Sequence, residues 1–203
     1  MDQNISAILD EYHALIRQQQ DGNEAPAPDG RDRLLRAVGP DTGRLINILA
    51  RSLPRPKILE IGTSFGYSGI WLAEAARASG GRVVTLELHD YKSAFAQDMA
   101  TKAGLADYID FKIGDALAII ETLPFGFDFV LLDLWKDLYV PCLEAFYPKL
   151  NAGAIIVADN MIRPATEDVK HYAKAVRAKP DIASVLLPVG SGIEVSRFKS
   201  DLV

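Results

Sequence analysis

From Lys57 onward, short apolar runs alternate with stretches of helical spacing, and this alternation most constrains what the chain can fold into. The runs at 57–61, 82–87, 108–113, 127–133 and 154–158 have the length and composition of buried strands. Helical stretches separate them at 66–78, 91–103, 116–122 and 138–150, with a further one at 166–178. Strands spaced by helices of this length predict βαβ units and a mostly parallel, doubly wound α/β sheet. Two further strand-like runs, 184–189 and 192–198, meet at Gly190-Ser191. They read as a hairpin, so the expected seven-stranded sheet ends in an antiparallel strand.

Upstream, Ile5, Ile8, Leu9, Tyr12, Leu15 and Ile16 recur at helical spacing over 4–20, an amphipathic helix. Residues 21–30 are a loop by composition. A short helix is expected over 31–37 and another over 41–52, ended by Pro54 and Pro56. With 203 residues and no internal repeat, the chain reads as one domain, 1–203. Within it, 1–35 is a helical cap and 36–203 the core. The N-terminal helix is expected to be exposed, with two uses open to it: covering the active site or forming a homodimer contact.

Charge removes several classes of function. A formal net charge of −5 argues against nucleic-acid binding, which needs a basic surface. No apolar run approaches the roughly 18 residues of a membrane span. Met1-Asp2-Gln3-Asn4 lacks the basic start of a signal peptide, and Cys142 is the single cysteine, so a reducing cytoplasm is the expected location.

Polar residues gather where ligands bind in such sheets, at the carboxyl ends of strands. Asp133 and Lys136 follow the fourth run, Asp159-Asn160 the fifth, and Glu194 lies in the last. Two carboxylates and a carboxamide are the hard oxygen donors that suit Mg²⁺. Helix capping or surface ion pairing is the plain alternative for the acids, and a solvated side chain for Lys136. His13, His89 and His171 are scattered and offer no zinc spacing. The first run passes into Gly62-Thr63-Ser64-Phe65-Gly66-Tyr67-Ser68-Gly69, spaced G-x-x-x-G-x-x-G. That is neither a dinucleotide nor a P-loop fingerprint. Glu87 ends the second run, where its carboxylate can accept from both hydroxyls of a ribose. Asp115 follows the third, and it either caps the next helix or accepts from an exocyclic amine.

Ile58 through Gly69 resembles motif I of class I S-adenosylmethionine-dependent methyltransferases, and Glu87 falls where that family carries its ribose-binding acid. The segment Asp133-Leu134-Trp135-Lys136-Asp137-Leu138-Tyr139, with Asp159-Asn160 and Pro164, is similar to catechol O-methyltransferases. Val38-Gly39 resembles that family's segment closing over the cofactor. The resemblance implies a Rossmann-like methyltransferase fold with S-adenosylmethionine and Mg²⁺ as cofactors. It places Val38, Glu60, Gly62, Ser64, Gly66, Ser68, Glu87, Leu88, Asp115, Ala116, Asp133 and Trp135 at the cofactor. Asp133, Asp159 and Asn160 would hold the metal. Trp135, Lys136, Asn160, Pro164 and Glu194 would face the substrate, a small aromatic diol. Lys136 would be the base and Glu194 the group that orients the second hydroxyl, while Ile193 is a further candidate wall.

The chain departs from the family at two places. Leu134 stands where the family has histidine, which removes a polar contact near the cofactor. Leu35-Arg36-Ala37 lacks the aromatic and methionine gatekeepers of the animal enzymes, so Arg36 or Arg163 is in position to meet an acidic substituent. Three alternatives stay open. One is methylation of a larger hydroxylated natural product or phenylpropanoid thioester. The others are a nicotinamide-dependent oxidoreductase and a non-catalytic cofactor-binding subunit.

Overall fold

Seven strands form one sheet in the computed structural model, which describes residues 2–20, 31–124 and 126–199. They are β1 (Lys57–Ile61), β2 (Arg82–Glu87), β3 (Ile109–Ile113), β4 (Phe127–Leu132), β5 (Leu150–Ala158), β6 (Ile182–Leu187) and β7 (Ile193–Phe198). Their order is β3-β2-β1-β4-β5-β7-β6. The first five are parallel, and β7 runs antiparallel to both β5 and β6. The order reverses at β1, whose neighbours are β2 and β4, and this leaves a crevice above the strand ends.

Alternate residues of each central strand feed opposite faces. Phe129 and Leu131 of β4 pack beneath α2 (Pro40–Arg51) and α3 (Tyr67–Ser79). Val130 and Leu132 point to the other side, toward α5 (Ala116–Thr122), α6 (Tyr139–Phe146) and α7 (Glu167–Arg177). Burial on both faces is why these strands read as unbroken apolar runs and not as alternating ones.

The N-terminal helix, α1 (Gln3–Gln20), belongs to the first of these cores. Ile5, Ile8, Leu9 and Tyr12 are buried, and Tyr12 donates to the Phe65 carbonyl at 2.6 Å. Burying each of these apolar side chains contributes about 1.5–3 kcal/mol, so the expectation of an exposed helix is corrected. α4 (Asp90–Lys102) completes that layer.

One further expectation changes. No helix forms over 31–37, because the segment's backbone groups find partners elsewhere. Gln19 bonds both Leu35 N and Arg33 O, Ser64 Oγ donates to Leu35 O, and Asp32 accepts from Leu34 N. The expected antiparallel C-terminal hairpin forms from β6 and β7, with β7 seated between β5 and β6 so that the first strand of the hairpin, β6, is on the edge. The loop expected at 21–30 lies outside the described residues.

Candidate active site

A cavity of about 690 Å³ opens above the carboxyl ends of β1, β2, β3 and β4. Its floor begins at the turn after β1. Gly62 has φ 102°, and a side chain there would run into the Asp133 carbonyl, so only glycine lets the two strand ends meet. Ser64 follows with φ 47° and donates its backbone N–H to Glu87 at 2.7 Å. The other Glu87 oxygen accepts from His89 N at 3.0 Å. A carboxylate offers about four lone-pair positions, so Glu87 keeps acceptor capacity toward the cavity. Asp115 caps α5 by accepting from Ala118 N at 2.9 Å. It also lines the cavity with its remaining oxygen available, so the capping and ligand readings are compatible.

Strand ends β4 and β5 supply the acids. Asp133 and Asn160 face the cavity, and Asp159 is buried directly behind Asn160. Among the described residues, Asp159 Oδ1 has no hydrogen-bond partner. Burial, reinforced by the nearby Asp133 charge, pushes the Asp159 carboxyl up to about 7, and burial also raises that of Asp133. Two buried carboxylates resist ionising together unless positive charge is brought between them. Lys136 brings some: Nζ contacts Asn160 Oδ1 at 2.7 Å, the Tyr139 hydroxyl at 2.5 Å and Asp133 Oδ1 at 3.4 Å. Burial lowers the Lys136 pKa against the pull of both acids. Among the described residues no group of three or more His, Cys, Asp or Glu forms a metal cluster. The donor set here is two carboxylates and a carboxamide, and the orphaned Asp159 oxygen fits a hard cation.

Several residues at the site were not singled out from sequence. Tyr139 lies three residues past Lys136 and donates to the Asp159 carbonyl at 3.0 Å, tying both strand ends to the lysine. Its presence in the Asp133–Tyr139 motif was the available signal. Asp32, His89, Lys92 and Thr166 also line the cavity. Asp32 pairs with Lys92 at 3.0 Å and Arg36 at 3.1 Å, which straps the 31–36 segment over the opening. Left-handed backbone is a further marker: Arg36, Ser64 and Asn160 all have positive φ and all line the cavity. Such conformations cost roughly 1–2 kcal/mol each and concentrate at functional positions.

Of the residues expected at the cofactor, Gly62, Ser64, Glu87, Leu88, Asp115, Ala116, Asp133 and Trp135 line the cavity, with Lys136, Asn160 and Pro164 beside them. Val38, Glu60, Gly66 and Ser68 do not; all four are buried outside its lining. Glu60 is fully buried, accepting at 2.5 Å from Thr85, which in turn meets Thr63. Gly66 is held by close approach to Ala96, whose Cβ a side chain would meet at 2.6 Å. Leu134, in place of histidine, lines the cavity, and Trp135 is exposed, which rules out core packing for it.

Glu194 is a correction. Both its oxygens are taken by Arg177 at 2.7 Å, and Ser184 donates to one of them. It is fully buried on the α7 side of the sheet and does not line the cavity, so it neither orients a substrate nor lies on the surface. The alternation of β7 decides this: Ile193 turns into the core beneath α3, also away from the cavity, and Glu194 turns to the opposite face.

The profile of the O-methyltransferase family matches residues 32–199. A catechol O-methyltransferase of Niastella koreensis is 34% identical over 76% of this chain and 76% of its own length. One from Mycobacterium tuberculosis is 38% identical over 63% of this chain, a stretch that spans 58% of the mycobacterial protein. Among solved structures, an O-methyltransferase from Bacillus cereus in complex with SAH superposes with TM-score 0.76 at 25% identity, covering 98% of this chain and 92% of that one. These matches give no support to the oxidoreductase alternative. The glycine turn, the acid pair and the strand order therefore agree with the sequence comparison: the chain belongs to the O-methyltransferase family.

Proposed function

We propose that this protein transfers a methyl group from S-adenosylmethionine to one hydroxyl of a small vicinal diphenol, with Mg²⁺ or a similar dication held by Asp133, Asp159 and Asn160. One observation carries the reading. The buried, unpartnered Asp159 oxygen belongs to the residue next to Asn160 and within electrostatic reach of Asp133, and both of those neighbours line the cavity that the Gly62 turn and Glu87 also enter. The SAH complex of the related Bacillus cereus enzyme and the catechol O-methyltransferase relatives support it.

The chain's residues divide the work. Glu87 accepts from the ribose hydroxyls with the lone pairs its backbone donors leave open, and Asp115 accepts from the adenine amine with its uncapped oxygen. A phenol titrates near about 10, so its oxygen is a weak nucleophile at neutral pH. When bound, the dication supplies the positive charge that stabilises the phenolate. Burial already lowers the Lys136 pKa, and positive charge held beside it would shift it further toward the neutral amine, the form in which Nζ takes the phenolic proton. Tyr139 stays protonated, because burial raises its pKa well above the ordinary range, and it keeps the lysine aimed at Asn160. The phenolate oxygen then forms a bond to the methyl carbon as the carbon–sulfur bond breaks. The products are the methyl ether and S-adenosylhomocysteine. Trp135 and Pro164 bound the ring, so positioning carries most of the acceleration.

Methyl transfer from labelled S-adenosylmethionine to a panel of diphenols, with Mg²⁺ and with EDTA, tests the proposal. Asp159→Ala is expected to lower kcat/KM by about a hundredfold or more, the scale of losing one electrostatic anchor of a reacting oxygen. Full activity in EDTA would remove the cation from the reading. A bulky phenylpropanoid thioester outperforming every small diphenol would favour the larger substrate class.

A further inference from the structure

Three cationic side chains line the cavity: Arg36, Lys92 and Lys136. Two of them are committed. Lys92 is buried against Asp32 at 3.0 Å and the Phe65 ring, and Lys136 is held by Asn160, Tyr139 and Asp133. Arg36 differs. Among the described residues, only its Nε has a polar partner, Asp32 at 3.1 Å, which leaves the terminal amino groups of the guanidinium free. The side chain is about half exposed, and its guanidinium carbon lies 5.1 Å from the centre of the Trp135 ring. Its backbone is fixed as well: φ is 46°, and the neighbouring Leu35 carbonyl accepts from Ser64 at 3.0 Å.

Building on the proposed function, we infer that Arg36 is a specificity-determining residue and that the preferred substrate is a vicinal diphenol carrying a ring-attached carboxylate. The planar fork matches a carboxylate through two parallel hydrogen bonds, a geometry that lysine does not offer. Trp135 and Asp32 hold the fork in place before the substrate arrives, so little side-chain freedom is lost on binding. Stacking on Trp135 puts the free amino groups at the wall that bounds the aromatic ring. Asp137 and Asp168 also line the opening and would attract an ammonium substituent instead. Both are exposed, as Arg36 is, but among the described residues no side chain fixes either of them as Asp32 and Trp135 fix Arg36.

Protocatechuate, its carboxamide and its aminomethyl counterpart share one diphenol ring and separate these cases. The wild-type protein is expected to favour protocatechuate, with the difference in KM and not in kcat. Arg36→Met should lower the protocatechuate-to-carboxamide ratio of kcat/KM by about ten- to a hundredfold, the scale of losing a hydrogen-bonded charge pair. Arg36→Lys should recover part of that ratio. Calorimetric binding of protocatechuate to the S-adenosylhomocysteine-loaded protein should weaken in the same order. An unchanged ratio in Arg36→Met, or a wild-type preference for the aminomethyl compound, overturns the inference while the proposed function stands. No transfer to any of the three overturns both.

Discussion

At the scale of single residues, the two fully buried glutamates have opposite fates. Glu194 meets a guanidinium with both oxygens, whereas Glu60 has hydroxyls and, among the described residues, no cation. Among the described residues, no partner meets Glu60 Oε1 in hydrogen-bond geometry. Burial, only partly offset by the Ser68 and Thr85 hydroxyls, lifts the Glu60 carboxyl to about 7 from an ordinary 4.5. The sign of the consequence follows from proton binding. Between these values the unfolded chain has released its proton and the folded chain keeps it, so stability falls as pH rises and levels off above about 7. The full penalty is roughly 3 kcal/mol. Urea midpoints at pH about 5 and about 8 should therefore differ in the wild type. In Glu60→Gln the difference should shrink, with a gain in stability at the higher pH. An equally steep decline in the variant would assign the effect to other groups.

At the scale of elements, the turn after β1 is where local chemistry fixes the site. Gly62→Ala combines left-handed backbone with a collision against the Asp133 carbonyl. It should cost roughly 2–4 kcal/mol and lower the thermal midpoint accordingly, because neither strand end can retreat from a buried sheet. A midpoint within a degree of wild type would mean that the two strand ends are not tightly apposed. The elements readable in sequence share this completeness of burial. β1 and β2 match their expected bounds because apolar side chains cover both faces, and α5 begins at a capping Asp115. What could not be read depends on partners far along the chain. The 31–37 stretch has helical composition but satisfies its backbone through Gln19 and Ser64. Glu194 has the local sequence of an exposed edge residue, and only the insertion of β7 beside β5 turns it toward Arg177. Asp133, Lys136 and Asn160 converge because β4 and β5 are neighbours, and the strand-end rule anticipates that.

At the scale of the whole molecule, β7 is the piece that closes the sheet. Among the described residues, β6 pairs with no strand but β7, and β5 has its second neighbour only in β7. A chain stopped after Val189 would lose Ile193 from one core and the partner of Arg177 from the other side. It would also leave the β5 edge bare, an invitation to pair with another chain. Size-exclusion chromatography of that truncation should show aggregate in place of a monodisperse species, and a well-behaved peak of the wild-type size would contradict this. The same arrangement imposes an order of events during synthesis. Six strands leave the ribosome before the one that seats the sixth, so β6 must wait without a sheet partner while β1 to β5 assemble. The sheet thus cannot be complete before residues 193–198 exist, although the five parallel strands of the chemistry-bearing half are made earlier.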